Sequence, residues 1–329
     1  MPYKPYVYWL LEHANEMMQP IMVYIVFKHM SCNLVFLAKF LREMPMLRKL
    51  LLSFTITFSL FINLAQATDK GLFWKLESPK GVVSYLFGTI HTDDNRVADI
   101  SPNVVEAMNN VDTFVMEAGE NNDPSVLLLK EGNLASQLTE AEFEQVRELA
   151  DFHVMHLGAA MQMKPWLLAV VFDLPKPQTP FAQDNLLMTK SEELGKNVVG
   201  IENAKEHFSV MDDFSMEEQM VMLRAVLKRT PEQKVADFES LMTMYLEGDS
   251  DKITALNEKI TAGMLPADLW AKIKDKLLDK RSVLMAERLI PLASEKPMFI
   301  AVGASHLAGD IGLINAFKKA GYKLTALPK

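Results

Sequence analysis

Residues 85–91 read YLFGTIH, an apolar run that ends in a Gly-x-x-His motif. Residues 299–306 repeat this pattern as FIAVGASH near the other end of the chain. Short apolar runs of this kind predict buried strands, and a glycine at a strand end permits a sharp turn or a close backbone contact. In both copies a predicted helix and a further strand follow. The sequence therefore predicts two degenerate strand-loop-helix-strand halves, each with one Gly-x-x-His loop.

The rest of the chain carries alternating strand and helix signals. Residues 72–76 and 82–87, separated by a Pro-Lys-Gly turn sequence, predict a β-hairpin. Thr139 and Glu142 have capping-box spacing and predict a helix to about Leu157. Further strands are predicted at 111–116, 198–201, 298–302 and 322–324, and further helices from 101, at 184–194 and at 311–320. Together with a helical insertion at about 203–293, this pattern predicts one α/β (α+β) domain at 68–329 with a central mixed sheet.

Ionisable side chains stand where the predicted strands end. His91 and His306 each lie three residues after a glycine, and Glu117 and Glu202 each end an apolar strand. Ligands of α/β sheets bind at the carboxyl ends of strands, and imidazole is a common ligand of transition metals. A carboxylate at such a place is unfavourable unless it is paired or binds a metal. Two histidines and one or two glutamates there predict a site where a divalent metal activates water, with an ionised glutamate as ligand or general base.

A second pair of histidines has a different interpretation. His153 and His156 lie three residues apart in a predicted helix, which would allow them to share a metal. Phe152, Val154 and Met155 surround them, and this is the composition of an ordinary amphipathic helix. We therefore expect a structural role for both histidines.

Charge and cysteine content exclude several classes of function. Residues 1–67 carry six basic and three acidic side chains, so the formal net charge changes from −8 for the whole chain to about −11 for residues 68–329. Binding to nucleic acid requires a basic surface, and so it is not expected. The one cysteine, Cys32, precedes residue 68. Disulfide bonds, cysteine-bound zinc and thiol catalysis are therefore excluded for residues 68–329.

Residues 46–67 have the three parts of a secretory signal peptide. Arg48 and Lys49 precede an uncharged apolar run at 50–64, and Ala65-Gln66-Ala67 provides a small-residue cleavage site. We expect cleavage near Ala67, a periplasmic or secreted protein and no stable membrane span in the mature form, with an uncleaved anchor as the alternative. Signal peptides begin at the initiator methionine, so residues 1–45 are interpreted as an upstream extension before a start at Met46. A further transmembrane or targeting segment is the alternative.

Several motifs together resemble the TraB/GumN family, which is similar to the animal Tiki proteases. The motifs lie at 85–92, 115–117, 164–166, 184, 194–202, 299–307 and 320–322. The resemblance implies a metal-dependent site formed by the paired Gly-x-x-His motifs and a glutamate, and peptide hydrolysis is the activity of the Tiki branch. It selects His91, Glu117 and His306 as catalytic and metal-binding residues, with Glu202 next.

The resemblance also bears on substrate contacts. Arg281, near where family members often have an arginine before a helix, is expected to contact a substrate carboxylate, and Asp184 is a second candidate substrate residue. His207 is a departure, because the family usually has a glutamine at this place.

Three classes of function remain from the sequence. The first is a metal-dependent hydrolase, foremost a peptidase, with Mn, Co, Zn or Fe and a peptide or protein substrate. The second is a protein that binds haem or a metal without catalysis. The third is an exported protein that sequesters a peptide.

Overall fold

Six strands form one mixed sheet in the computed structural model, which describes residues 71–119, 123–179 and 181–329. The strands are β1 (Phe73–Glu77), β2 (Val83–Thr89), β3 (Thr113–Ala118), β4 (Asn197–Glu202), β5 (Met298–Gly303) and β6 (Lys323–Ala326). Their order across the sheet is β4-β3-β5-β2-β1-β6. The strands β4, β3, β5 and β2 run parallel, and β1 is antiparallel to both of its neighbours. The predicted α/β (α+β) class with a central mixed sheet is confirmed.

The register of β2 and β5 brings the two glycine motifs to one edge of the sheet. Gly88 of β2 pairs with Val302, and Thr89 pairs with Gly303 of β5. Because the two strands are parallel neighbours, their loops leave the sheet side by side. The carboxyl ends of β3 and β4 lie at the same edge.

Both faces of the sheet are covered, as expected for parallel strands. Strand β5 is buried from Met298 to Val302, and alternate residues face opposite sides. Ile300 and Val302 pack with Met285 and Leu289 of the helix at Lys280–Ala293, which precedes β5. On the other face the rings of Phe73, Phe87 and Phe114 surround Phe299 at centroid distances of 5.8–6.2 Å between neighbouring rings.

The helices of the described residues are named in chain order. They are α1 (Asn95–Ala98), α2 (Pro102–Asn109), α3 (Glu140–Phe152), α4 (Leu157–Ala160), α5 (Pro165–Asp173), α6 (Gln183–Glu193), α7 (Ala204–Ser209), α8 (Met216–Leu227), α9 (Pro231–Glu247), α10 (Ser250–Met264), α11 (Ala267–Lys274), α12 (Lys280–Ala293) and α13 (Leu313–Lys319). A π-helical turn at Asp275–Asp279 joins α11 to α12. Short 3-10 turns lie at Pro124–Leu127, Leu134–Gln137, Val210–Asp213 and Ala304–His306.

A second apolar core lies among the helices. Leu168 and Phe172 of α5 pack with Leu223 of α8, together with buried residues of α3 and α11. Helix α12 belongs instead to the sheet core, through Met285 and Leu289. The region at 203–293 thus contains helices as predicted, and its last helix covers the sheet.

Two helix boundaries differ from the prediction. The capping box of Thr139 and Glu142 is present, but α3 ends at Phe152 instead of continuing to about Leu157. Val154 has a positive φ of 58°, which ends a right-handed helix. Helix α13 begins at Leu313 and not at 311, because Gly312 is its extended N-cap residue.

The predicted signal peptide at 46–67 and the extension at 1–45 lie outside the described residues. Within the ranges that the structure does describe, no helix combines the length and apolar character needed to cross a membrane.

Candidate functional site

Both motif glycines allow close contacts at the carboxyl edge of the sheet. A Cβ atom added to Gly88 would lie 3.2 Å from the Cα of Ala304, in the second Gly-x-x-His loop. A Cβ atom added to Gly303 would lie 3.1 Å from Oε1 of Glu117. The backbone N–H of Gly303 donates to this same oxygen over 2.6 Å. The absence of a side chain therefore lets the two loops meet and lets Glu117 reach the backbone of β5.

His306 is buried at the centre of this edge. Its Nδ1 lies 2.8 Å from Oγ of Ser282, and its Nε2 lies 3.4 Å from Nη1 of Arg281 and 3.8 Å from Oε1 of Glu117. An arginine can only donate, so this geometry fits a neutral imidazole with its proton on Nδ1 and a lone pair on Nε2. Burial lowers the pKa of His306, Arg281 lowers it further, and Glu117 opposes the shift only in part. His306 is therefore neutral at pH 7.

The guanidinium of Arg281, in the first turn of α12, lies between two carboxylates. Nη2 donates to Oε2 of Glu117 over 2.7 Å and to Oε2 of Glu202 over 2.8 Å. Nε donates to both oxygens of Glu202, and Nη1 donates to the Leu277 carbonyl of the π-helical turn. These charge-assisted bonds hold the cation in place within a buried cluster. A substrate carboxylate at Arg281 would compete with Glu117 and Glu202.

The two glutamates of the cluster are ionised. Burial alone would raise the pKa of Glu117, but the charge and hydrogen bond of Arg281 and the Gly303 N–H outweigh burial and hold the pKa well below its usual range. Burial likewise opposes ionisation of Glu202, and hydrogen bonds from His207 and Arg281 lower its pKa. A carboxylate with a lowered pKa is a weak proton acceptor and a good partner for a cation.

His207, the residue noted as a departure from the family, belongs to this cluster. It lies on α7, just after the carboxyl end of β4, and its Nδ1 is 2.9 Å from Oε2 of Glu202. The sequence alone gave no reason to place His207 beside Arg281, where Nη2 lies 3.0 Å from Nδ1.

His91 forms a separate pair with Asp184. Its Nδ1 lies 3.4 Å from Oδ2 of Asp184, and its side chain is 75% exposed. The hydrogen bond with Asp184 raises the pKa of His91, and the charges of Asp184 and Glu117 add to the rise. His91 thus lies within electrostatic reach of Glu117, although the structure gives no contact between His91 and His306.

Residues of α6 and α9 hold the loop that carries His91. Gln183 accepts the N–H of Ile90 through Oε1 and donates its own N–H to the Thr92 carbonyl. The buried hydroxyl of Tyr245 lies 2.8 Å from the Gly88 carbonyl and 2.7 Å from Oε1 of Gln183. These contacts therefore hold the loop at both ends. In the sequence, the one sign of a role for Gln183 is its position next to Asp184 at a predicted helix start.

Imidazole and carboxylate donors are the types that Zn, Mn, Co and Fe prefer. Each histidine is held through Nδ1, by Ser282 or Asp184, and this leaves Nε2 for ligation. Among the side chains that the structure describes, no group of three or more His, Cys, Asp or Glu is placed to hold a metal ion. Arg281 is the cation beside Glu117, and His91 lies with Asp184. The donor chemistry thus fits a divalent metal, and binding would require Glu117 to exchange Arg281 for the ion.

The other candidate residues have structural partners. His156 accepts the N–H of Gly158 at the start of α4. His153 is buried against the ring of Phe172, and burial, followed by the charge of Lys234, lowers its pKa to about 4. These contacts agree with the structural role expected for both histidines.

Comparisons with known proteins place the chain in a family. Residues 72–326 match the TraB/PrgY/gumN family, and the chain belongs to this family. A relative is metalloprotease TIKI2 of Danio rerio, which is 23% identical over 327 residues. The alignment covers 80% of this chain and 62% of the relative, so the chain spans less than two thirds of that protein's length.

Proposed function

We propose that the protein is a metal-dependent hydrolase that cleaves peptide bonds. The observation that carries the proposal is the neutral imidazole of His306 placed 3.8 Å from the ionised Glu117, where parallel strands end beside the loop of His91. The Danio rerio relative is named a metalloprotease, and this similarity supports the same class. The signal peptide predicted at 46–67, with cleavage expected near Ala67, supports action on an exported peptide or protein.

His91, Glu117 and His306 would hold the ion, which is Mn, Co, Zn or Fe. When bound, such an ion lowers the pKa of a water molecule and polarises the scissile carbonyl. Asp184 and Ser282 keep the two imidazoles in the orientation that leaves Nε2 for ligation. Glu202 holds Arg281 near Glu117, where the guanidinium is placed to stabilise negative charge that develops on the carbonyl oxygen.

Metal analysis and a peptide screen test this proposal together. The full chain, purified without chelator, is analysed for metals and then incubated with a quenched-fluorescent peptide library after addition of Mn, Co, Zn or Fe. We expect a near-stoichiometric metal and cleavage in the wild type. Glu117→Gln and the double variant His91→Ala/His306→Ala should lose both. His156→Ala is the matched control, because its imidazole is exposed and lies at the N-cap of α4, and it should retain both.

Three results would contradict parts of the proposal. Unchanged cleavage by folded Glu117→Gln would overturn the site. Cleavage that persists in a metal-free protein would overturn the metal requirement. A Soret band, or saturable peptide binding without cleavage, would assign the protein to one of the two non-catalytic classes.

A further inference from the structure

His207 and Glu202 form an oriented pair at the edge of the cluster. Nδ1 of His207 lies 2.9 Å from Oε2 of Glu202, and a carboxylate only accepts hydrogen bonds. Nη2 of Arg281 lies 3.0 Å from the same Nδ1, but its two hydrogens are donated to Glu117 and Glu202. Nδ1 therefore carries the hydrogen of its contact with Glu202. Glu202 is itself fixed, because its side chain is 1% exposed and three hydrogen bonds from Arg281 hold it. The carboxylate thus sets the orientation of the imidazole.

The other ring nitrogen of His207 is available for chemistry. The side chain of His207 is 23% exposed, whereas those of Glu202, Arg281 and His306 are buried. No described residue makes a hydrogen bond with its Nε2. The ring of Phe208 packs edge-on at a centroid distance of 4.8 Å and limits rotation of the imidazole. His207 therefore presents Nε2 at the border between the buried cluster and solvent.

We propose that His207 is a catalytic residue that protonates the leaving nitrogen, an assignment that rests on the proposed peptidase function. In this step the C–N bond of the tetrahedral intermediate breaks, and its electron pair stays on nitrogen. The proton on Nε2 moves to that nitrogen, so the amine leaves neutral. His207 becomes the neutral imidazole with Nδ1–H donating to Glu202, and it regains a proton from solvent. The water that attacks the carbonyl releases its own proton to solvent.

The other groups of the cluster are poorly suited to this step. Glu117 and Glu202 accept hydrogen bonds from the Arg281 guanidinium and carry no proton to give. Arg281 does not release a proton in proteins. His306 is buried, and its Nδ1 is directed to the hydroxyl of Ser282. His91 is assigned to the metal.

The leaving group separates proton delivery from a structural role. A peptide that the protein cleaves is prepared as an alkyl amide and as a p-nitrophenyl ester. An alkylamine needs a proton to leave, whereas p-nitrophenolate leaves as the anion. We expect His207→Gln to lower kcat/KM by about 10²- to 10⁴-fold for the amide, and by less than about tenfold for the ester. Lys205→Gln, an exposed change on the same helix, should leave both values unchanged.

Chemical rescue provides a second measurement. His207→Ala should lose amide cleavage to a similar degree, and added imidazole should restore it in this variant but not in the wild type. Equal losses with both substrates, or no loss with the amide, would overturn the assignment of His207 alone. A wild-type protein that cleaves neither substrate overturns the proposed function, and this assignment falls with it.

Discussion

Replacing Arg281 by glutamine would remove the only cation that contacts both Glu117 and Glu202 among the described residues. The side chain of Arg281 is 9% exposed, and Glu202 has almost no access to solvent. Glutamine retains part of the volume and can still donate hydrogen bonds, so the change removes charge more than packing. Two ionised carboxylates would then lie in a buried cluster without their counter-charge.

The expected loss of stability is large. Removing one partner of a buried ion pair destabilises a protein by roughly 3–5 kcal/mol, because the remaining charge is desolvated and unpaired. For a domain of this size, each kcal/mol lowers Tm by about 2–4 °C. We therefore expect Arg281→Gln to lower the Tm by about 6–20 °C at pH 7, in the presence of a chelator.

The loss should depend on pH in a defined direction. The pKa values of Glu117 and Glu202 are lowered in the folded state, so the stability that they contribute is complete above the usual glutamate range. That contribution disappears as the pH falls through the folded values. The difference between wild type and Arg281→Gln should thus be greatest near pH 7 and become smaller below about pH 4.

Thermal and urea unfolding from about pH 2 to about pH 8, followed by circular dichroism, measures this difference across the range in which the glutamates take up protons. Arg288→Gln is the matched control on the same helix, because Arg288 pairs with Glu206 and both side chains are more than one third exposed. A surface pair contributes only about 0–1 kcal/mol. Equal losses for Arg281→Gln and Arg288→Gln, or a loss that does not change with pH, would refute the reasoning.

Three further changes have defined outcomes. In urea unfolding, the wild type should lose about 3 kcal/mol of stability as the pH falls from about 6.5 to 4, because over this range the buried imidazole of His153 binds a proton only in the unfolded state. His153→Leu should remove this loss. Gly303→Ala should displace Glu117 and destabilise the protein by about 1–3 kcal/mol. Gly263→Ala should stabilise it by about 0.5–1 kcal/mol, because Gly263 has a helical backbone with open space for the methyl group. Differential scanning calorimetry compares the two variants. Tyr245→Phe should destabilise by about 1–3 kcal/mol, because the hydroxyl has one hydrogen to donate and one buried acceptor, the Gly88 carbonyl or Oε1 of Gln183, loses it. An unchanged urea midpoint would contradict this.

Local patterns predicted most elements near their observed positions. The hairpin of β1 and β2, the capping box at Thr139 and the strand ends at Glu117 and Glu202 all depend on residues close in sequence. The helix predicted to reach Leu157 ends early, because the backbone at Val154 takes a left-handed conformation that β-branched residues rarely adopt. No local signal indicates such a conformation.

The partners of the site residues could not be predicted in the same way. Arg281 lies 79 residues from Glu202 and 164 residues from Glu117 along the chain. The sequence identified both glutamates as carboxylates in need of a partner, and it assigned them to a metal. The structure shows Arg281 as their cation, and Ser282, the next residue, beside His306. An arginine near a helix start has many available partners, so only the packing of α12 on the sheet selects these two.

Strand and helix segments, and the placing of both Gly-x-x-His motifs at strand ends, follow from short-range chemistry. Periodicity, helix caps and turn residues act over a few positions, so they can be recognised in the sequence. The insertion of β5 between β2 and β3, the pairing of His91 with Asp184 and the entry of His207 into the cluster required the tertiary structure. These contacts join distant segments, and their geometry depends on how the helices pack against both faces of one sheet.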